Sequence, residues 1–224
     1  MIGWRGCAFG AGLALVSGTA TAQVAGDNTS PVQRAEIAVG VFRHGANFHP
    51  LGSRLSFDLP ELPPGYVYDG MEEDGTTDVQ IVYRSRPLRV LLKPRLTGKL
   101  QVNTDGRTSF ASLGAEWRQH FLRNRIYVQG GIGVTVIDGY RFTPDPFQPG
   151  LSPGEAQRRY AIYIRRTSFG STILFNPNAS IGIRLDRKWA VELAWEHYSH
   201  RQLFSEQNPG IDNLGIRLVH RFGR

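Results

Sequence analysis

Trp195-Glu196-His197-Tyr198-Ser199-His200 sets a histidine and a serine two positions apart, and Asp212 follows beyond Asn208-Pro209-Gly210-Ile211. An imidazole that can take the proton of a hydroxyl turns serine into a nucleophile, and a carboxylate on the second ring nitrogen orients the ring and stabilises the imidazolium. The chemistry this trio suits is acyl transfer: Ser199 attacks an ester carbonyl, His197 moves the proton, Asp212 holds His197. The tetrahedral intermediate needs donors for its oxyanion. The backbone amides from Arg201 to Leu203 and the side-chain amide of Asn208 are the candidates, with His200 as a rim residue that assists the headgroup or the oxyanion. Asn208 also reads as a turn former before Pro209-Gly210. Glu196 and Glu206 are rival carboxylates. His-x-Ser by itself is common, and a single histidine is more often structural than catalytic, so the weight falls on what positions these residues.

Strand periodicity supplies that. Side chains repeat every two residues along a strand, so His197 and Ser199 continue the face of Val191, Leu193 and Trp195, while Glu192, Ala194 and Glu196 take the other. On the return strand Asp212 shares parity with Leu214, Ile216 and Leu218, opposite Asn213, Gly215 and Arg217. The three polar groups therefore share the apolar face. Parity assigns faces, and the cross-strand register is set by the hairpin loop. Trp189, Trp195, Tyr198 and Tyr140 read as packing or interfacial anchors.

The same alternation recurs from Arg34 to Phe42, Arg89 to Gln101, Ser109 to Trp117, Ile126 to Val136, Ile181 to Leu185, Val191 to Glu196 and Asn213 to Val219, and with the less regular segment from Asp78 to Arg84 this makes eight strands. The face opposite the apolar one carries Lys93, Arg95, Lys99, Glu116, Arg184 and Glu192, a poor lining for a dry core. A soluble lipocalin-like barrel does not account for so many charges there. An all-β, eight-stranded antiparallel transmembrane β-barrel of the outer-membrane type, apolar outside and polar inside, does. It must close, because an open edge in hydrocarbon leaves backbone groups unpaired. The interior charges are expected to pair in a filled barrel, with inward glycines making room.

Short connections near Ser85-Arg86-Pro87, Gln119 to Asn124 and Asp186-Arg187-Lys188 alternate with longer ones at about 43–77, 138–168 and 200–211 and a shorter one at Val102 to Arg107. Such barrels keep short turns in the periplasm and long loops outside. The trio then sits at the outer rim. The two longest loops read as irregular, one holding Glu72-Glu73-Asp74 and the other four prolines between Thr143 and Gly154. The acidic run alone does not specify a calcium site.

Arg5, an apolar stretch from Cys7 to Val16 and Ala20-Thr21-Ala22 have the layout of a signal peptide, residues 1–22, leaving one domain over 23–224 without its single cysteine. The net charge of +7 comes from scattered arginines that form no nucleic-acid module, so nucleic acid is excluded as a partner, and cationic rims facing phosphorylated glycolipid account for the excess. No cofactor or metal is called for. An apolar exterior serves lipid and a second copy alike, which leaves a homodimer open.

On Glu196-His197-Tyr198-Ser199 and Asn208-Pro209-Gly210-Ile211-Asp212-Asn213-Leu214-Gly215, the chain resembles the outer-membrane lipid A 3-O-deacylase family, also described as acyloxyacyl hydrolase-like. The resemblance is strongest over Trp189 to Phe222. It implies a metal-independent serine hydrolase in the bacterial outer membrane that removes the ester-linked 3-hydroxyacyl chain at the 3-position of lipid A in the outer leaflet. His197 and Ser199 take the family's histidine and serine, and Asp212 stands where its best-known members have glutamate. Those members have asparagine after the serine where this chain has His200, a departure that bears on oxyanion stabilisation. Readings that remain beside this one are a structural barrel without turnover and another outer-membrane phospholipase or acyltransferase.

Overall fold

Alternation of β-branched and polar residues gives β1 (Ala35–Arg43), β2 (Thr77–Arg84), β3 (Arg95–Asn103), β4 (Phe110–Phe121), β5 (Ile126–Ile137), β6 (Ile173–Phe175), β7 (Asn178–Arg184), β8 (Trp189–Tyr198) and β9 (Ile211–Phe222), with one helix, α1 (Pro153–Tyr163), between β5 and β6. The computed structural model describes residues 33–46, 48–49 and 73–222. The signal peptide expected over 1–22 and most of the loop expected at 43–77 lie outside the described residues.

The strands are hydrogen-bonded in the order β4-β3-β2-β1-β9-β8-β7-β5, and β4 pairs with β5, so the sheet closes on itself. All pairings are antiparallel. β6 and β7 are one stave: Val134 faces Phe175 before Asn176-Pro177 and Gly131 faces Asn178 after it, so the register is unbroken. Pro177 has no N–H to give the ladder, which is why the stave reads as two pieces. The barrel therefore has eight staves, as the periodicity predicts.

Outward positions carry Val41 at 58 % exposure, Leu193 at 53 % and Ile216 at 61 %. In water such a belt is a liability; against hydrocarbon it is the required surface. No helix among the described residues is long and apolar enough to cross a membrane. Inward positions are charged and paired. Arg84 gives a bidentate contact to Glu192 at 3.0 and 2.9 Å and a bond to Glu116 at 2.7 Å. Arg118 binds both oxygens of Glu36 at 2.7 Å, Lys99 contacts Glu116 at 2.9 Å and Glu196 at 3.1 Å, and Arg217 pairs with Glu196. Buried ions are tolerated only when their charge and hydrogen bonds are met, and this lattice meets them across opposite walls. Gly182 makes room for it: a Cβ there would lie 2.1 Å from Cζ of Tyr127, whose hydroxyl donates to Glu192 at 2.8 Å.

Two expectations need correction. β3 begins at Arg95, not Arg89; residues 85–94 form a turn in which Leu92 and Lys93 have φ of 62° and 47° and Lys93 N donates to Val90 O at 3.0 Å. Leu91 and Leu92 imitate strand alternation, but a left-handed pair cannot continue a ladder. The loop at 138–168 is not wholly irregular, since it holds α1, started by Pro153 and capped by Ser152, whose hydroxyl accepts from Glu155 N at 3.3 Å. None of the helix is buried, so the sequence carries no apolar stripe to announce it. Glu73 of the acidic run is not a surface group: it is 1 % exposed and accepts from Thr108 N, Thr108 Oγ1 and Thr167 N at 2.6, 2.9 and 3.0 Å.

Candidate active site

The last hairpin is in register so that His197 lies directly opposite Asp212. The inward residue between His197 and Ser199 anchors the strand end: Tyr198 is fully buried, stacks on Phe110 at 4.0 Å between centroids and donates to Gln101 Oε1 at 3.1 Å. With Tyr198 inside, its two neighbours must point out. Ser199 stays extended because its N–H donates to Phe175 O at 3.1 Å and its carbonyl accepts from Phe175 N at 2.7 Å.

His197 Nδ1 lies 2.8 Å from Asp212 Oδ1, and His197 Nε2 lies 2.9 Å from Ser199 Oγ. An ionised carboxylate only accepts, so the matching tautomer has the proton on Nδ1, donated to Asp212, and leaves Nε2 to accept from the Ser199 hydroxyl. The side chains of His197 and Asp212 are 19 % and 20 % exposed on the outer face, and Ser199 beside them is 8 % exposed. The trio predicted from parity is thus brought into one hydrogen-bonded chain on the exterior. Glu196 points inward to Lys99 and Arg217, which removes it as a rival.

Two neighbours of the chain went unread in the sequence. Trp195 Nε1 donates to Asp212 Oδ1 at 2.9 Å, so this tryptophan fixes the carboxylate rather than serving only as packing. Its parity with His197 was the available signal. His49 packs edge-on against Trp195 and His197, with centroids 5.2 and 5.4 Å away. No spacing rule could have found it, since it comes from the loop after β1. That loop is stitched to the site by Ala46 N donating to Asp212 O at 2.6 Å and Gly45 N to Asn213 Oδ1 at 2.9 Å.

The three assisting residues fare differently. His200 is not a rim residue: it is fully buried, and its Nε2 lies 2.9 Å from both Phe169 O and Gln207 O. Its ring holds the loop together and is turned away from any ester. Asn208 Oδ1 accepts from His200 N at 2.9 Å, which is the turn-forming role. Arg201 and Gln202 have φ of 48° and 59° and are closed by Leu203 N donating to His200 O at 2.9 Å, the pattern of a type I′ turn. The Leu203 amide is spent on that bond and drops out as an oxyanion donor. Gly210 closes the other side at φ +65°, where a Cβ would come within 3.3 Å of His197 Cε1 and 3.4 Å of Ser199 Cβ.

No curated protein sequence matches the chain. Among solved structures, the chain is similar to the crystal structure of the outer membrane enzyme PagL, at 13 % identity and a TM-score of 0.46 over 81 % of this chain and 97 % of that one. It is also similar to the N-terminal β-barrel domain of Pseudomonas aeruginosa OprF, at 9 % identity and a TM-score of 0.44 over 85 % and 98 %. A de novo designed transmembrane β-barrel gives 9 % identity and 0.46 over 85 % and 96 %. The family model described as lipid A 3-O-deacylase (PagL) matches residues 92–221, more than half of the chain, from the turn before β3 to the last residue but one of β9 and including every residue of the trio. On that match the chain belongs to the lipid A 3-O-deacylase (PagL) family of outer-membrane ester hydrolases.

Proposed function

We propose that this protein is a serine hydrolase that releases the ester-linked 3-hydroxyacyl chain from the 3-position of lipid A, with Ser199 as nucleophile, His197 as acid and base, and Asp212 as the residue that orients His197. The observation that carries this reading is the unbroken chain Asp212–His197–Ser199, at 2.8 and 2.9 Å, on the lipid-facing side of the barrel near its long loops. A nucleophile facing hydrocarbon is useful only when the scissile bond belongs to a lipid, and its level near the loops matches esters just below a glycolipid headgroup.

Ser199 Oγ attacks the ester carbonyl carbon as His197 Nε2 takes its proton, and the carbonyl electrons move onto oxygen. The bond to the sugar oxygen then breaks, and His197 returns the proton to that oxygen, leaving the acyl chain on Ser199. Water, deprotonated by the same nitrogen, attacks the acyl-enzyme and releases the fatty acid with Ser199 restored. The oxyanion is met by the main chain of the Arg201-Gln202 turn and the Nδ2 protons of Asn208, whose Oδ1 is held by the His200 amide.

Mass spectrometry of purified lipid A in detergent, incubated with the wild-type protein and with Ser199→Ala, tests this. The wild type is expected to remove one 3-hydroxyacyl mass and yield the free acid, and Ser199→Ala to lower turnover by about 10⁴-fold or more. Unchanged lipid A with folded wild type, or equal turnover in the variant, would defeat the reading. Transfer of a labelled chain to an acceptor instead of free acid would make the protein an acyltransferase.

A further inference from the structure

We propose that His49, His197 and Asp212 form an inhibitory site for a divalent transition-metal ion such as Zn²⁺ or Cu²⁺. Each residue offers one ligand atom, and these atoms lie within 4.8 Å of one another. Two imidazoles and a carboxylate suit zinc or copper, while calcium and magnesium select oxygen donors. Tetrahedral zinc with bonds of 2.0–2.1 Å sets its ligand atoms roughly 3.3 Å apart. His197 Nδ1 and Asp212 Oδ1 already approach at 2.8 Å, and with the three ligand atoms within 4.8 Å of one another the His49 ring has at most about 1.5 Å to close to complete the set.

A second observation points the same way. His49 Nδ1 is shielded from solvent and has no hydrogen-bond partner among the described residues. A ring nitrogen withdrawn from water with nothing to bond is under-satisfied, and coordination answers that deficit. His49 also stands edge-on beside His197 at 5.4 Å between centroids and beside Trp195 at 5.2 Å, which holds it at the mouth of the site.

The ion takes the place of the proton that His197 Nδ1 shares with Asp212. One Nδ1–metal bond forms, the Nδ1–H bond breaks, and the neutral ring carries its proton on Nε2 instead. A protonated Nε2 cannot take the Ser199 proton, so the nucleophile is left unactivated. The inhibitory half of this proposal rests on the catalytic reading above; the binding half does not.

The test uses the full-length protein in detergent micelles. Cu²⁺ electron paramagnetic resonance is expected to show two coordinating imidazole nitrogens in the wild type and one in His49→Ala. Deacylation is expected to fall with Zn²⁺, to recover with chelator and to ignore Ca²⁺. His49→Ala and His49→Gln, each compared with its own metal-free rate, should need about tenfold more Zn²⁺ for half-inhibition, a loss that removal of even an outer-shell partner can bring. The heat-modifiable gel shift of a closed barrel reports that both variants fold. Copper without two-nitrogen ligation, or equal Zn²⁺ sensitivity in wild type and both variants, overturns the proposal. Metal-insensitive deacylation overturns it while leaving the catalytic reading intact; two-nitrogen copper binding in a protein without Ser199-dependent turnover leaves the binding site standing and removes the catalytic reading.

Discussion

Oδ1 of Asp212 accepts two hydrogen bonds, one from His197 Nδ1 at 2.8 Å and one from Trp195 Nε1 at 2.9 Å. The first selects the imidazole tautomer and the second holds the carboxylate where that selection works. Asp212→Asn keeps the volume but offers the wrong group to Nδ1, so turnover should fall on the order of 10⁴-fold with the barrel still folded. Trp195→Phe removes only the positioning bond. Its expected loss is about tenfold in kcat with KM little changed, because a bond to a half-shielded carboxylate contributes less than the roughly 1.5–3 kcal/mol of a buried one. Steady-state rates on lipid A check both, and an effect of Trp195→Phe confined to KM would make that residue a substrate contact instead.

Each element of the last hairpin is held by something beyond its own ladder. β8 is anchored by Tyr198 in the apolar cluster of Phe110, Ile137, Phe169, Leu174 and Ile211, and β7 leaves out one side chain so that Tyr127 fits. Gly182→Val would drive a side chain into that ring, which is fixed by Glu192 and by the Arg118 guanidinium 4.1 Å from its centroid. A destabilisation of about 1–3 kcal/mol is expected in denaturant unfolding of the micelle-bound protein. The loop elements are latched separately: His44 lies 2.9 Å from Asp78 and 3.2 Å from Glu73, and Arg166 approaches Glu73 at 3.2 Å. Burial pulls the His44 pKa down, but the bonds to Asp78 and Glu73 outweigh it and hold it above the ordinary value. Burial pushes the Glu73 carboxyl up, but bonds from His44, Thr108 and Thr167 hold it below its ordinary value. A raised histidine stabilises fully below 6.5 and loses its effect as pH climbs through the folded value, whereas a lowered glutamate stabilises fully above 4.5 and loses its effect as pH drops through the folded value. The latch is therefore strongest from 4.5 to 6.5. The stability gap between wild type and His44→Ala, followed by protease cleavage of the loops against pH, should peak in that window and narrow on both sides.

For the molecule as a whole, the interior works as a charge lattice inside an apolar sleeve. Glu192 alone faces Arg84, Arg217, Arg118 and the Tyr127 hydroxyl. Glu192→Ala removes the carboxylate those three cations share, leaving Glu116, Glu36 and Glu196 to balance them, and should cost about 3 kcal/mol. The same variant should keep its Ser199-dependent turnover wherever it folds, because the site lies on the opposite face of the sheet. Unfolding curves and lipid A assays on one preparation separate the two effects.

Residue order alone determined the class of barrel, the sidedness of its regularly alternating strands and the exterior address of His197, Ser199 and Asp212, because a two-residue period assigns faces without knowledge of what lies across the sheet. It could not find where Leu91 and Leu92 stop being strand, since apolar alternation looks the same in a turn until φ turns positive. Nor could it decide the fate of His200, which parity set apart from Ser199 but only the closing loop buried against Phe169 and Gln207. The pairing of His197 with Asp212 waited on hairpin register, and His49 and the Trp195 bond waited on contacts between distant or diagonal positions. Those belong to the tertiary structure for one reason: a strand's own sequence tells which way a side chain points, and only the neighbouring chain tells what it meets there.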